Sequence, residues 1–311
     1  MGYRWKIILA FAAVYIVWGS TYLAIIFAIR DIPPVFMSGM RFFLAGIMLY
    51  GWCIFVKKEK QPDISSLGKN ALCGILMLFG GTGAVAWAEQ YISSGLAAII
   101  VTSVPFWFVL LDKKQWPFYF SNKIILLGLL TGFAGVVLLI FFGKSLPVIS
   151  APHSKQLAGM LVLIAGGISW TLGSLYSKYK PASTSVTMNA SVQLIMAGLF
   201  SGLVSFITGE SRGVSFSQIH TSSLLALLYL AILGSLVTYL CYVWLLQVRP
   251  AAQVSSYVYV NPVVAIILGA IIGREMITGL HILSLTIILC GVLLINFPRY
   301  KSSKSKQLSV S

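Results

Sequence analysis

The side chains able to do chemistry are few. Of seven acidic residues, Asp31, Glu59, Asp63, Asp112, Glu210 and Glu275 fall in polar connections or at the edges of apolar runs, which leaves Glu89 as the carboxylate within one. In a low-dielectric cavity such a group can exchange a proton near neutrality; an ionised, wetted carboxylate that simply marks the end of the run is the competing reading. Arg41 lies about eight residues into another run, roughly 12 Å along a helix axis, too deep for a casual surface charge. Its planar guanidinium suits a two-pronged grip on a carboxylate. Three partners stay open for it: Glu89, a substrate carboxylate, or the membrane surface reached by snorkelling. Ser20, Thr21, Gln90, Ser103, Tyr257, Tyr259 and Asn261 add hydroxyl and amide groups of the kind that read an amphipathic solute, although for any one of them helix packing or an interhelical hydrogen bond is the commoner role. Pro105 and Pro262 each remove a backbone donor and can break a helix, freeing carbonyls to line a cavity.

Other chemistries lack their parts. The four cysteines, Cys53, Cys73, Cys241 and Cys290, lie in apolar stretches as small hydrophobes. His153, His220 and His281 are too scattered for a metal set. No metal or other cofactor is expected. An enzyme acting on lipid would need paired carboxylates or a nucleophile with its base, so no catalytic residue is assigned. Apart from Arg41, the basic residues sit mainly in joints between apolar runs instead of on one face with stacking aromatics, which argues against nucleic acid.

These groups must be positioned by membrane helices. With 58% hydrophobic and 9% charged residues and a mean hydropathy of +0.92, the 311-residue chain has too little charge to cover a water-facing surface. Apolar runs near 7–29, 34–56, 71–90, 94–111, 124–142, 157–176, 183–207, 223–246, 252–272 and 280–297 predict ten transmembrane helices and an all-α integral membrane protein. The first run is long enough to span, so it reads as a helix and not as a cleaved signal. Connections rich in Lys and Arg, such as those with Lys57, Lys58, Lys113, Lys114, Lys178 and Lys180, fall on one side if residue 1 starts there. The positive-inside rule then places both termini in the cytoplasm of a multi-pass cell-membrane protein. The Lys/Ser-rich segment 299–311 reads as a disordered basic tail. Trp5, Trp52, Trp116, Tyr119 and Tyr300 are expected in the interfacial belt.

The chain repeats itself. Trp18, Ala45 and Gly46 recur 152 positions later as Trp170, Ala197 and Gly198. Trp87, Gln90 and Pro105 recur 157 later as Trp244, Gln247 and Pro262, and Gly135, Val136 and Phe141 recur 156 later as Gly291, Val292 and Phe297. Five helices per copy is an odd number, so the second copy must enter from the opposite side: two inverted five-helix repeats, over 1–145 and 155–298. Inverted halves make inward-open and outward-open arrangements close in energy, which is the basis of alternating access around a midplane site. The symmetry-related pairs Trp18/Trp170 and Trp87/Trp244 are expected as walls or gates of that cavity. The glycine pairs Gly128/Gly132, Gly198/Gly202 and Gly269/Gly273 have the spacing of close helix packing.

The stretch QVRPAAQVSSYVYVNPVVAIILGAIIGRE from Gln247, together with Trp18-Gly19-Ser20, Arg41-Phe42 and AEQYISSGLAAIIVTSVP over 88–105, resembles the EamA-type carriers of the drug/metabolite transporter superfamily. The resemblance implies a ten-helix carrier of small metabolites, often an exporter of amino acids, with helices one to four and six to nine around a central cavity. The second copy carries Gly273-Arg274-Glu275 where the first has Leu111-Asp112-Lys113, so a Gly-acid turn is not common to both. The expected partners are a small-molecule substrate and the lipid bilayer, with the chain acting as a monomer and binding no nucleic acid. A lipid or lipophilic-drug flippase of the same fold is the alternative.

Overall fold

The computed structural model describes residues 2–92, 97, 100–142, 152–215, 219–273 and 279–297. They are helical and joined by short turns, with no strand among the described residues. Helix α1 spans Tyr3–Ala28, α2 Pro34–Val56 and α3 Ile64–Ala88. Shorter helices follow: α4 (Val104–Leu111), α5 (Trp116–Ser121) and α6 (Lys123–Phe142). In the second half come α7 (His153–Tyr179), α8 (Val186–Ile207) and α9 (Thr221–Val248), then α10 (Ala251–Val254), α11 (Tyr257–Gly273) and α12 (Gly279–Asn296). Proline at the first turn opens α2, where a missing N–H costs nothing. The Ser185 hydroxyl caps α8 by accepting from the Met188 amide at 3.1 Å, and Gly209, at φ 76°, turns the chain out of its far end.

Among the described residues, six helices, α1, α2, α3, α7, α8 and α9, are long and apolar enough to cross a membrane. A seventh span appears if α5 and α6, bent by 92°, count as one. Eight of the ten expected runs coincide with single helices, α1, α2, α3, α6, α7, α8, α9 and α12. The run at 94–111 is described only in part and resolves into α4, with turns at Thr102 and Ser103 just before Pro105. The run at 252–272 divides at Ser255 and Ser256 into α10 and α11. Two expectations are corrected. Tyr119 is fully buried instead of interfacial, because its hydroxyl donates to Asp112 Oδ2 at 3.0 Å. Cys290 is exposed, whereas Cys53 and Cys73 are buried as expected. The tail 299–311, Tyr300 and Arg274-Glu275 lie outside the described residues.

Helix contacts come in matching pairs. α2 packs on α8 and α6 on α12; α1 packs on α11 and α9, while α7 packs on α4 and α3. Glycine permits both of the closest crossings. A Cβ on Gly46 would fall 2.6 Å from the Ile195 nitrogen, and one on Gly198 2.6 Å from the Phe43 nitrogen. In the other crossing, a Cβ on Gly128 would lie 2.8 Å from the Gly291 oxygen. The pairs Gly128/Gly132 and Gly198/Gly202 thus sit at these crossings, although a Cβ on Gly202 itself would meet nothing within 4 Å. α3 and α9 both pass through a π-helical stretch, Ile75–Gly83 and Leu230–Val237. Such a widened turn leaves carbonyls free for side chains and recurs at functional sites.

Candidate functional site

A cavity of about 90 Å³ lies among α1, α2, α3, α4, α7 and α11. Its lining includes Trp18, Thr21, Arg41, Trp170, Tyr257 and Asn261, all read from the sequence. Also present are Tyr22, Ile25, Gly81, Thr82, Val85, Val101, Val104, Leu163, Gly166 and Gly167, which the sequence did not single out.

One wall is an aromatic layer. Trp18 stands edge-on to Trp170 at 5.5 Å between ring centroids and to Tyr257 at 4.7 Å, and Tyr242 packs 5.2 Å from Trp18 and 5.1 Å from Trp170. Hydrogen bonds fix the rings. Trp18 Nε1 donates to the Gly234 carbonyl at 2.8 Å, a carbonyl of the π-helical turn of α9. Trp170 Nε1 donates to Tyr242 Oη at 2.8 Å, and Ser174 Oγ pairs with the same oxygen at 2.9 Å.

The layer closes one end of the cavity. On α1 the remaining lining residues Thr21, Tyr22 and Ile25 lie toward Ala28, and on α7 Leu163, Gly166 and Gly167 lie toward His153. The Tyr3 end of α1 and the Tyr179 end of α7 share a face of the bundle: Tyr3 meets Trp244 edge-on, and Lys178 donates to the Leu246 and Arg249 carbonyls. Between the layer and that face, Tyr239 Oη donates to Gln193 Oε1 at 2.7 Å, Gln193 Nε2 to Asn70 Oδ1 at 2.9 Å, and Asn70 Nδ2 to Asn189 Oδ1 at 2.8 Å. This buried chain satisfies its members and rigidifies the closed end.

The charged groups are placed differently from the sequence expectation. Arg41 is 3% exposed and lines the cavity; its Nε donates to Ser235 Oγ at 2.6 Å. Glu89 is 7% exposed, so it is not a wetted boundary group. Its two carboxyl oxygens have no hydrogen-bond partner, and it stands near Tyr22, which also neighbours Asn261. The two are not paired with each other: among the described residues the ion pairs are Lys57–Glu59 and His220–Asp31. Asn261 Oδ1 is likewise buried without a partner.

Several expected cavity residues lie elsewhere. Trp87 and Gln90 line a separate vestibule of about 710 Å³ at the opposite end, next to Glu210, and Gln90 Nε2 donates back to the Trp87 carbonyl at 3.0 Å. Trp244 packs on Tyr3 at the closed end. Ser20 Oγ is taken by the Val17 carbonyl and Tyr229. Ser103 Oγ donates to Ile100 and accepts from Trp107. Tyr259 is wedged against Gly132 and donates to the Leu129 carbonyl at 3.3 Å, away from the cavity. Pro105 sits in the first turn of α4, directly after the turns at Thr102 and Ser103 that break the run. Pro262 lies inside an unbroken α11.

Long apolar helices packed around a small cavity with buried polar groups make the described residues those of a polytopic membrane protein. The EamA-like transporter family matches the chain twice, over residues 4–142 and 157–297, and the chain belongs to that family. An Escherichia coli (strain K12) protein named as the uncharacterized inner membrane transporter YedA is 33% identical over 292 residues, covering 94% of this chain and 90% of its own. The Bacillus subtilis (strain 168) transporter YoaV is 25% identical over 295 residues, covering 94% and 97%. A crystal structure with 18% identity superposes with a TM-score of 0.73 over 93% of this chain and 96% of its own, a likeness of fold.

Proposed function

We propose that the chain is a secondary carrier that exports small amphipathic solutes, amino acids among them, by alternating access of the central cavity between two inverted five-helix repeats. In this reading ten membrane segments form halves over 1–145 and 155–298. Both termini are cytoplasmic, and a monomer is sufficient. Glu89 exchanges a proton during the cycle. The observation that carries the reading is the cavity itself, closed at one end by the aromatic layer and lined from both halves of the chain, with Arg41 and the unpartnered Asn261 Oδ1 buried on its wall.

Two contacts support the inversion. At the Ala28 end of α1, Asp31 Oδ2 accepts from Ser223 Oγ at 2.6 Å and meets His220 Nδ1 at 3.0 Å. The repeat register carries residues 31, 220 and 223 onto Ser183, Asp63 and Ser66. There, Ser183 Oγ donates to Asp63 at 3.3 Å and pairs with Ser66 Oγ at 2.9 Å, beside the Tyr179 end of α7. Equivalent residues thus tie equivalent turns to equivalent helices at opposite ends of the bundle. The hydrogen bonds from Ser223 Oγ and the His220 amide hold the Asp31 carboxyl below its usual range, and Ser66 does the same for Asp63.

The test is counterflow of radiolabelled amino acids and nucleobases in proteoliposomes, with and without a pH gradient. Exchange of at least one solute that responds to the gradient and loses that response in Glu89→Gln is the expected result. Exchange indifferent to both overturns the proton step, and scrambling of fluorescent lipid with no solute exchange overturns the solute carrier.

A further inference from the structure

The repeat offers an internal control on Arg41. In the register that carries Ala45 onto Ala197 and Gly46 onto Gly198, Arg41 falls on Gln193. Gln193 is 1% exposed and neutral, and both ends of its amide are satisfied, by Asn70 at 2.9 Å and Tyr239 at 2.7 Å. A neutral polar side chain therefore suffices for this helix position in one half. The other half carries a full charge there.

That charge is incompletely met. Nε of Arg41 is held by Ser235 at 2.6 Å; among the described residues no carboxylate pairs with the guanidinium and no acceptor meets its two terminal nitrogens. Space has been left for the group: a Cβ on Gly234 would fall 3.1 Å from Arg41 Nη2. Burying a guanidinium without a counter-ion is strongly unfavourable, and such groups in membrane interiors pair or mark substrate paths. With Nε clamped, the Nη1/Nη2 edge is the free prong pair, the geometry that grips a carboxylate in two parallel hydrogen bonds.

From this we infer that Arg41 is the residue that recognises the transported solute, through a carboxylate on that solute, with Ser235 as its positioning residue. The inference rests on the carrier reading above and names the chemical group that its site selects. The carboxylate belongs either to an amino acid or to a simple organic acid. Asn261 Oδ1, a buried acceptor without a donor on the same cavity, is the group that would read the ammonium of the former.

The experiment uses the purified full-length protein with three solutes sharing one side chain: L-leucine, its deaminated acid 4-methylpentanoate, and its decarboxylated amine isoamylamine. Binding is read by thermal stabilisation and by quenching of tryptophan fluorescence, since Trp18 and Trp170 line the cavity. At least one carboxylate-bearing solute is expected to bind, and isoamylamine at least tenfold more weakly. Binding of leucine alone assigns the amino acid, and equal binding of 4-methylpentanoate assigns the simple acid. Arg41→Gln, which copies the other repeat, should lower carboxylate affinity tenfold or more, on the scale of charged hydrogen bonds. Arg41→Lys, keeping the charge without the fork, should fall between. Should Arg41→Gln fail to fold, Arg41→Lys and the acid–amine comparison decide. Isoamylamine binding as tightly as leucine, unchanged carboxylate affinity in the Arg41 variants, or no binding by either carboxylate overturns the inference. Counterflow of an uncharged solute by the same preparation would leave the carrier reading in place while this one falls.

Discussion

Replacing Tyr242 by Phe removes one oxygen from the aromatic layer and keeps every ring. Tyr242 is fully buried, and its oxygen accepts from Trp170 Nε1 at 2.8 Å and pairs with Ser174 Oγ at 2.9 Å. Ser174 keeps a second partner, the Trp170 carbonyl at 2.7 Å, so the loss falls on the Trp170 indole, left as a buried donor with no acceptor. A stranded donor costs about 1–3 kcal/mol in soluble proteins, and single bonds inside membranes are worth about 0.6 and at most about 1.7 kcal/mol. A value near 1 kcal/mol corresponds to about a fivefold shift in an equilibrium between two access states. The shift should favour opening toward the Tyr3 face. The assay places a reporter, Ser177→Cys, in the small pocket beyond the layer, in a protein whose four native cysteines are replaced. A membrane-impermeant maleimide added from the Tyr3 face should label Tyr242→Phe about fivefold faster. An unchanged labelling rate with a lowered unfolding temperature would refute the reasoning, since the oxygen would then serve packing alone.

Three further outcomes are expected. Gly291→Ala places a Cβ 2.6 Å from Gly132 Cα and 2.8 Å from the Gly128 oxygen, backbone that no side-chain rotation can relieve. Destabilisation of about 1–3 kcal/mol should appear in thermal unfolding, with Gly68→Ala, whose Cβ meets nothing, near neutral. Asp31 has a lowered pKa, so its contribution to stability is present above the ordinary carboxylate range and lost as pH falls through the folded value; the unfolding gap between wild type and Asp31→Asn should close in acid and not in base. Glu89→Gln should keep the fold, because neither carboxyl oxygen has a partner to lose, while abolishing the response of transport to a pH gradient; unfolding of this variant would assign Glu89 to structure.

Composition and apolar run length were enough to read the helical membrane class, because the lipid interior leaves little choice of backbone structure. Repeat spacing pointed to Trp18 and Trp170, and local polarity to Thr21, Arg41, Tyr257 and Asn261; these do converge on one cavity. Ser20, Ser103 and Tyr259 did not, because a hydroxyl on an apolar helix bonds a carbonyl of its own turn or a neighbouring helix as readily as it faces a cavity. The π-helical turns of α3 and α9 escaped the periodicity because stretches of 9 and 8 residues are too short to set a period of their own in a run that is apolar on every side; Gly80-Gly81-Thr82-Gly83 and Gly234-Ser235 were the available signals. The Arg41–Glu89 pairing failed for a geometric reason. Equal depth along two helices fixes height and not azimuth, and Ser235 of α9 holds the guanidinium instead.

The central claim is that one cavity is reached alternately from two sides. A single cysteine at Thr82, on the cavity wall, probed with an impermeant thiol reagent from each face in turn, tests it most directly. Modification from both faces is expected, with conditions that speed labelling from one face slowing it from the other. Labelling from one face alone, or rates that rise together on both, would contradict it.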